Sequence, residues 1–167
     1  VAVAVVRILE TLTYSRRADM VELKVRKADE TDLERLRPFA HVFHKMCCFR
    51  DKKIPGDLVD RYFEHMTNDP NAVILTHDHG ALGASVERAE MGFGFILRER
   101  FFMSAPKTGR VLLDAFHALA RTKKVDLTAL SLICKDNVIP PKQHQQYIDM
   151  GYELTEAVYV RKVDTCP

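Results

Sequence analysis

The residues that invite a chemical reading are concentrated in "SAPKTGRVLLDAF", Ser104 to Phe116. An apolar run, "FGFILRERFFM", precedes this stretch, and a helical pattern begins inside it. At the start of a helix several backbone N–H groups lack partners and the macrodipole is positive, which suits an anion. Gly109 carries no Cβ and lets a ligand come close, Lys107 and Arg110 add positive charge, and Thr108 is of a type that caps helices. The same residues also fit a plain reading, in which Thr108 and Gly109 cap the helix and both cations are solvated. The turn lacks the G-x-x-x-x-G-K-[ST] spacing of a nucleotide-binding P-loop. It contains S-x-x-K and K-T-G, but these share Lys107 and cannot both act as in serine enzymes.

A second cluster is histidine-rich. His41, His44 and Cys48 recur at helical spacing, with His65 in the next helical segment, so a metal is conceivable. Phe43, Met46 and Cys47 compete for that neighbourhood and the spacing matches no zinc signature, so a partly buried polar seam without metal is the reading adopted. His77 and His79 flank Asp78 in a turn and are expected to be solvated.

The elements that position these residues follow from periodicity. "VELKVRKA" (21–28) alternates as a half-buried strand. Asp29 is an N-cap with Asp32 three residues on, and Leu33, Leu36, Phe39 and Phe43 follow at helical spacing. Pro38 is expected to kink or split that helix. A second helix covers 56–66, and strands 72–76 and 81–87 form a hairpin about "HDHG". A long strand (92–103), a helix (109–122), a short strand (127–134), a helix (140–150) and a last strand (152–163) follow. Residues 1–20 form an N-terminal extension, or a strand at a sheet edge; 21–163 form one α/β domain and 164–167 a C-terminal tail.

Composition limits the function classes. The 167 residues are 47% hydrophobic, enough for one well-buried core. With 25 basic and 23 acidic residues the formal net charge is +2, which gives no support to a dedicated nucleic-acid binder, although a nucleic-acid substrate in a small cleft stays open. "VAVAVV" at the N-terminus is too short for a membrane span or a secretory core. Cys47, Cys48, Cys134 and Cys166 follow no disulfide spacing and are expected to be reduced thiols in a cytoplasmic protein.

The element order over 21–163, the "YIDMGY" segment and the turn together resemble the GNAT superfamily of N-acetyltransferases. The resemblance implies an α/β, GNAT-like single domain with a central mixed, mostly antiparallel twisted sheet flanked by helices. In that family [QR]-x-x-G-x-[GA] after the fourth strand binds the pyrophosphate of acetyl-coenzyme A. Here Ser104 stands at the first position of that motif, Lys107 at the middle glycine and Gly109 at the last. The family's Y-x-x-x-G-[FY] matches Tyr147, Gly151 and Tyr152.

The implied activity is transfer of an acetyl or other acyl group from acyl-coenzyme A, the co-substrate, to an amine of unspecified class. Tyr147 is then the candidate acid for the leaving thiolate. Glu99 is the candidate base, with Glu87 behind it, or else pairs with Arg98 or Arg121 at the surface. Strand alternation groups residues 99, 101 and 103 on one face and 98, 100 and 102 on the other. Backbone N–H groups near Phe102 and Met103 would hold the oxyanion, and Lys107, Thr108, Gly109 and Arg110 the cofactor phosphates. The first two helices and "CCFRDKKIPGD" (47–57) would border the acceptor. A homodimer, and a catalytically inactive GNAT-like binding or structural module, are the remaining expectations.

Overall fold

A computed structural model describes residues 23–46, 52–89, 92, 94–132 and 138–155. The chain enters through Leu23, Val25 and Ala28, which are buried, alternating with exposed Lys24 and Arg26. Only Arg26–Lys27 pairs as a strand, β1. The expected cap forms: Asp29 accepts from the Thr31 N–H (2.9 Å) and Asp32 accepts from the Asp29 N–H (3.0 Å). This capping box starts a 3-10 turn, Glu30–Asp32, that runs into helix α1, Leu33–Met46.

Pro38 lies inside α1 without splitting it, so of the expected kink or split the split does not occur. The proline removes one N–H from the ladder, while the apolar face of Leu33, Leu36 and Phe39 packs on the core and holds the helix together. Helix α2 is Leu58–Asn68. Strands β2, Ala72–His77, and β3, Gly80–Arg88, form a hairpin with His77 paired to Gly80 across Asp78 and His79. Strand β4 is Phe95–Ser104, helix α3 is Gly109–Lys123, strand β5 is Leu127–Ala129 and helix α4 is Pro141–Asp149.

The sheet order is β1-β2-β3-β4-β5, antiparallel up to β4, with β5 parallel to β4. Both faces are covered, which is why every residue of β2 is buried. Val73 and Leu75 join Leu82, Leu97, Leu112 and Phe116 beneath α3. Ala72 and Ile74 join Leu36, Phe63 and Met66 beneath α1 and α2. Of the expected last strand, 152–155 are irregular and 156–163 lie outside the described residues. The same holds for the end of the fifth strand (133–134), for 1–20, for 164–167 and for all four cysteines.

One irregularity redirects the site. Gly83 pairs with Phe101 but Ala84 pairs with Glu99, so Arg100 is an extra residue, a β-bulge. The bulge overturns the simple alternation expected for β4. Glu99, opposite core residue Ala84, lies with Phe102 on the α3 face, while Arg100, Phe101 and Met103 line the α1–α2 face.

Candidate active site

Among the described residues, strands β4 and β5 pair at one end only. At that end the Phe95 N–H donates to the Asp126 carboxylate (2.8 Å) and the Asp126 N–H to the Phe95 carbonyl (2.9 Å). Pairing continues through Ile96–Leu127, Leu97–Thr128 and Arg98–Ala129, where β5 ends. Beyond that point a side chain bridges the gap: the Ser131 N–H donates to Glu99 Oε2 at 2.9 Å. Glu99 is only 6% exposed, and burial pushes its carboxyl above the ordinary carboxylate range, against the Ser131 hydrogen bond.

The surface pairing considered for Glu99 does not occur, because Arg98 and Arg100 both engage Glu87 instead. Burial opposes the charge on Glu87, but those two guanidinium groups outweigh it and hold its carboxyl below the usual range. A carboxylate so neutralised is a poor base. Glu99 makes no ion pair among the described residues, and its raised carboxyl holds a proton more readily.

Tyr147 lies on α4, and its neighbours explain the Y-x-x-x-G-[FY] spacing. Gly151 has φ +84°, its N–H bonds the Ile148 carbonyl (2.9 Å) and the Tyr152 N–H bonds the Tyr147 carbonyl (3.0 Å). This is the Schellman helix stop, which places Tyr147 and Tyr152 side by side, ring centroids 5.9 Å apart. The Tyr152 hydroxyl accepts from Thr128 (3.1 Å) and lies 2.7 Å from His117 Nε2. Burial lowers the His117 pKa, which favours its neutral ring. That network fixes Tyr152. Burial, then the nearby Glu99 charge, pushes the Tyr147 phenol up to about 12.

The turn into α3 stands at the far end of β4. Lys107 has φ +71°, the left-handed conformation that glycine adopts freely. Its charged side chain makes no ion pair among the described residues, and Thr108 follows in the right-handed region. Thr108 sits at the N-cap position but does not cap: both its N–H (3.2 Å) and its hydroxyl (2.9 Å) donate to Ala105 O. The first-turn N–H groups of α3 are thus left without a side-chain acceptor. Gly109 is required for a different reason than ligand access: an added Cβ would lie 2.5 Å from Ser104 Oγ and 2.9 Å from Phe102 Cζ. Arg110 pairs with Asp114 (3.0 Å) on the helix surface, a bond weak enough to exchange for a phosphate.

Of the expected site residues, Tyr147 lies near enough to Glu99 for its phenol to feel the carboxylate charge, and Phe102 packs beside Gly109 at the turn that carries Lys107, Thr108 and Arg110. The Met103 side chain lies on the opposite face. His77, expected in solvent, is 3% exposed: its Nδ1 accepts from the His79 N–H (3.0 Å) and its Nε2 has no hydrogen-bond partner. Burial accordingly lowers its pKa. The sequence reading missed His117, Thr128 and Ser131. His117 was signalled only by its place on the otherwise apolar face of "LLDAFHALA". Of the histidine–cysteine group, Cys48 lies outside the described residues, and no cluster of three metal-ligand side chains occurs among the described ones.

No family model matches the chain, and no curated protein matches it in sequence. Solved structures do match in shape. A putative acetyltransferase from Arthrobacter sp. FB24 superposes with a TM-score of 0.65 at 18% identity, over 89% of this chain and 100% of that one. A GNAT family acetyltransferase from Staphylococcus aureus subsp. aureus USA300_TCH1516 superposes with a TM-score of 0.59 at 12% identity, over 86% and 100%. The chain has the GNAT fold. A transcriptional regulator from Bacillus halodurans C-125 gives a TM-score of 0.65 at 16% identity, over 85% and 100%. At these identities the likeness establishes the GNAT architecture and leaves the activity to the site.

Proposed function

We propose that the protein is an N-acyltransferase that moves an acetyl or other acyl group from acyl-coenzyme A to an amine. The observation that supports this reading is buried Glu99, whose charge helps to raise the Tyr147 phenol, on the strand that leads to the uncapped start of α3. The first-turn N–H groups of α3, with Lys107 and Arg110, would hold the pyrophosphate. Backbone N–H groups near Phe102 and Met103 would hold the oxyanion.

Proton movements follow from the two pKa directions. Glu99, raised by burial, takes the proton that the attacking ammonium must lose, directly or through water. The amine nitrogen then bonds to the thioester carbon, the C–S bond breaks, and Tyr147 meets the departing sulfur as an O–H donor. At about 12 the phenol holds its proton more tightly than a thiol, which titrates near 8.5, so outright transfer is uphill at first. The Glu99 charge is one cause of that high value. When Glu99 takes up a proton its charge vanishes and the phenol becomes a better acid, so the base step prepares the acid step.

The direct test measures thiol release from acetyl-coenzyme A against a panel of small amines and peptides. Turnover that falls in both Glu99→Gln and Tyr147→Phe supports the assignment. No amine-dependent release with acetyl-, propionyl- or succinyl-coenzyme A would refute it.

A further inference from the structure

The hairpin turn between β2 and β3 and the turn into α3 are tied to each other through His77. Its Nδ1 accepts from the His79 N–H (3.0 Å), and the His79 carbonyl accepts from the Ala105 N–H (2.8 Å). The Ala105 carbonyl in turn accepts from the Thr108 N–H (3.2 Å) and hydroxyl (2.9 Å). The Thr108 backbone stands close enough to the His77 ring to favour a proton on it, though outside hydrogen-bonding geometry, and so closes the circuit. Lys107, left-handed at φ +71°, lies inside this circuit. The two turns are also packed tightly: a Cβ on Gly80 would lie 2.7 Å from the Met103 carbonyl oxygen.

The circuit requires a neutral ring. Because Nδ1 is an acceptor, the proton of neutral His77 sits on Nε2, which is buried and has no hydrogen-bond partner. A second proton would set Nδ1–H against the His79 N–H and leave a buried cation with no acceptor in bonding geometry. Relief requires the His79 peptide to move, and the Ala105 N–H is bonded to the carbonyl of that residue. The charges around the ring do not offset this. Burial disfavours the cation most, His79 and Arg35 of α1 oppose it, and Asp78 favours it, so the ring titrates below its ordinary 6.5. The turn itself brings another cation, Lys107, next to Thr108.

Resting on the acyltransferase reading for the identity of the ligand, we infer that His77 is a positioning residue: neutral, it latches the Ala105–Thr108 turn in the shape that receives an anion, and protonation releases the latch. Acyl-coenzyme A binding is then lost toward acid pH without His77 touching the ligand.

The test first follows the unliganded full chain by heteronuclear NMR from about pH 8 to about pH 5. His77 should show one neutral tautomer, with the proton on Nε2. As the ring takes its second proton, the Ala105 amide should lose hydrogen-exchange protection, corrected for the intrinsic rate, while the strand amides keep theirs. Acetyl-coenzyme A should bind about tenfold or more weakly at the acid end. In His77→Asn, whose amide oxygen can accept from the His79 N–H but cannot titrate, that loss should shrink to whatever the ligand's own phosphates contribute. A neutral ring protonated on Nδ1, or an Ala105 amide indifferent to the ring's titration, would overturn the latch without any variant or ligand. An acid loss of equal size in His77→Asn would overturn it as well. The expected ring and amide behaviour in a chain that binds no acetyl-coenzyme A at any pH would support the latch and overturn the acyltransferase reading alone.

Discussion

The Ser131 N–H reaches the Glu99 carboxylate at 2.9 Å across the gap where β5 has already left β4. A buried acid thus stands in a position the backbone ladder has vacated, held by hydrogen bonding to Ser131 and in no ion pair among the described residues. Stability alone gives little reason to keep a carboxylate there.

Glu99→Gln should therefore separate function from stability. Turnover is expected to fall about 10²-fold or more, the usual contribution of a positioned base. The folded-state pKa of Glu99 is raised, so its stabilising effect is full below the unfolded value of 4.5 and is lost as pH rises through the folded value. The amide escapes that loss, so the variant should match or exceed the parent in thermal midpoint at pH 7–8, its relative advantage shrinking toward pH 4. A variant that unfolds more readily at pH 8 than the parent would contradict this.

Asp32 has the opposite sign. It is buried between Arg26 and Arg35 (2.6 Å each) and closes the capping box. Desolvation opposes its charge, but the hydrogen bonds from both arginines outweigh that and hold the carboxyl at about 2 against 3.8. Its contribution is present above pH 3.8 and drains away as pH falls toward 2. Asp32→Ala should cost about 1–3 kcal/mol at pH 7, read from denaturant unfolding, and much less near pH 2. An equal cost at both pH values would show that the charge is irrelevant.

Gly109→Ala drives a methyl group into Ser104 Oγ and Phe102. A loss of about 1–3 kcal/mol is expected. Adding Ser104→Ala removes the nearer atom and should restore part of it in a double-mutant cycle. Strict additivity would place the strain elsewhere.

Gly151→Ala tests the helix stop. The site has open space for a Cβ but needs φ +84°, so backbone strain is the sole cost, about 1–2 kcal/mol. For a domain of 167 residues that is roughly 2–8 °C in midpoint. Gly151→Asn, which tolerates the left-handed region better, should lose less. Equal losses would argue against the conformational explanation.

These residues also show what could be read before any coordinates. Asp29 and Asp32 announced a helix start, and the spacing from Tyr147 to Tyr152 was visible because a Schellman stop is local chemistry. The antiparallel strands were legible from apolar runs and turn residues. The bulge was not: one extra residue at Arg100 leaves no compositional mark, yet it reverses the faces of Glu99 and Phe101. His77 looked like turn chemistry beside Asp78, and only the strand pairing of His77 with Gly80 buries it. Ser131 and Thr128 act through long-range contacts, to which local pattern is blind.

The central claim is that the turn between β4 and α3 holds a coenzyme A pyrophosphate. The most direct measurement is a thermal-shift titration of the full chain with acetyl-coenzyme A, repeated on Lys107→Glu, with ATP as comparison. At about a hundred times the dissociation constant a ligand of the folded state adds about 2.7 kcal/mol, a midpoint rise of about 5–10 °C. The account predicts that rise for acetyl-coenzyme A and its loss in Lys107→Glu. A flat midpoint up to millimolar acetyl-coenzyme A in the parent protein would contradict it.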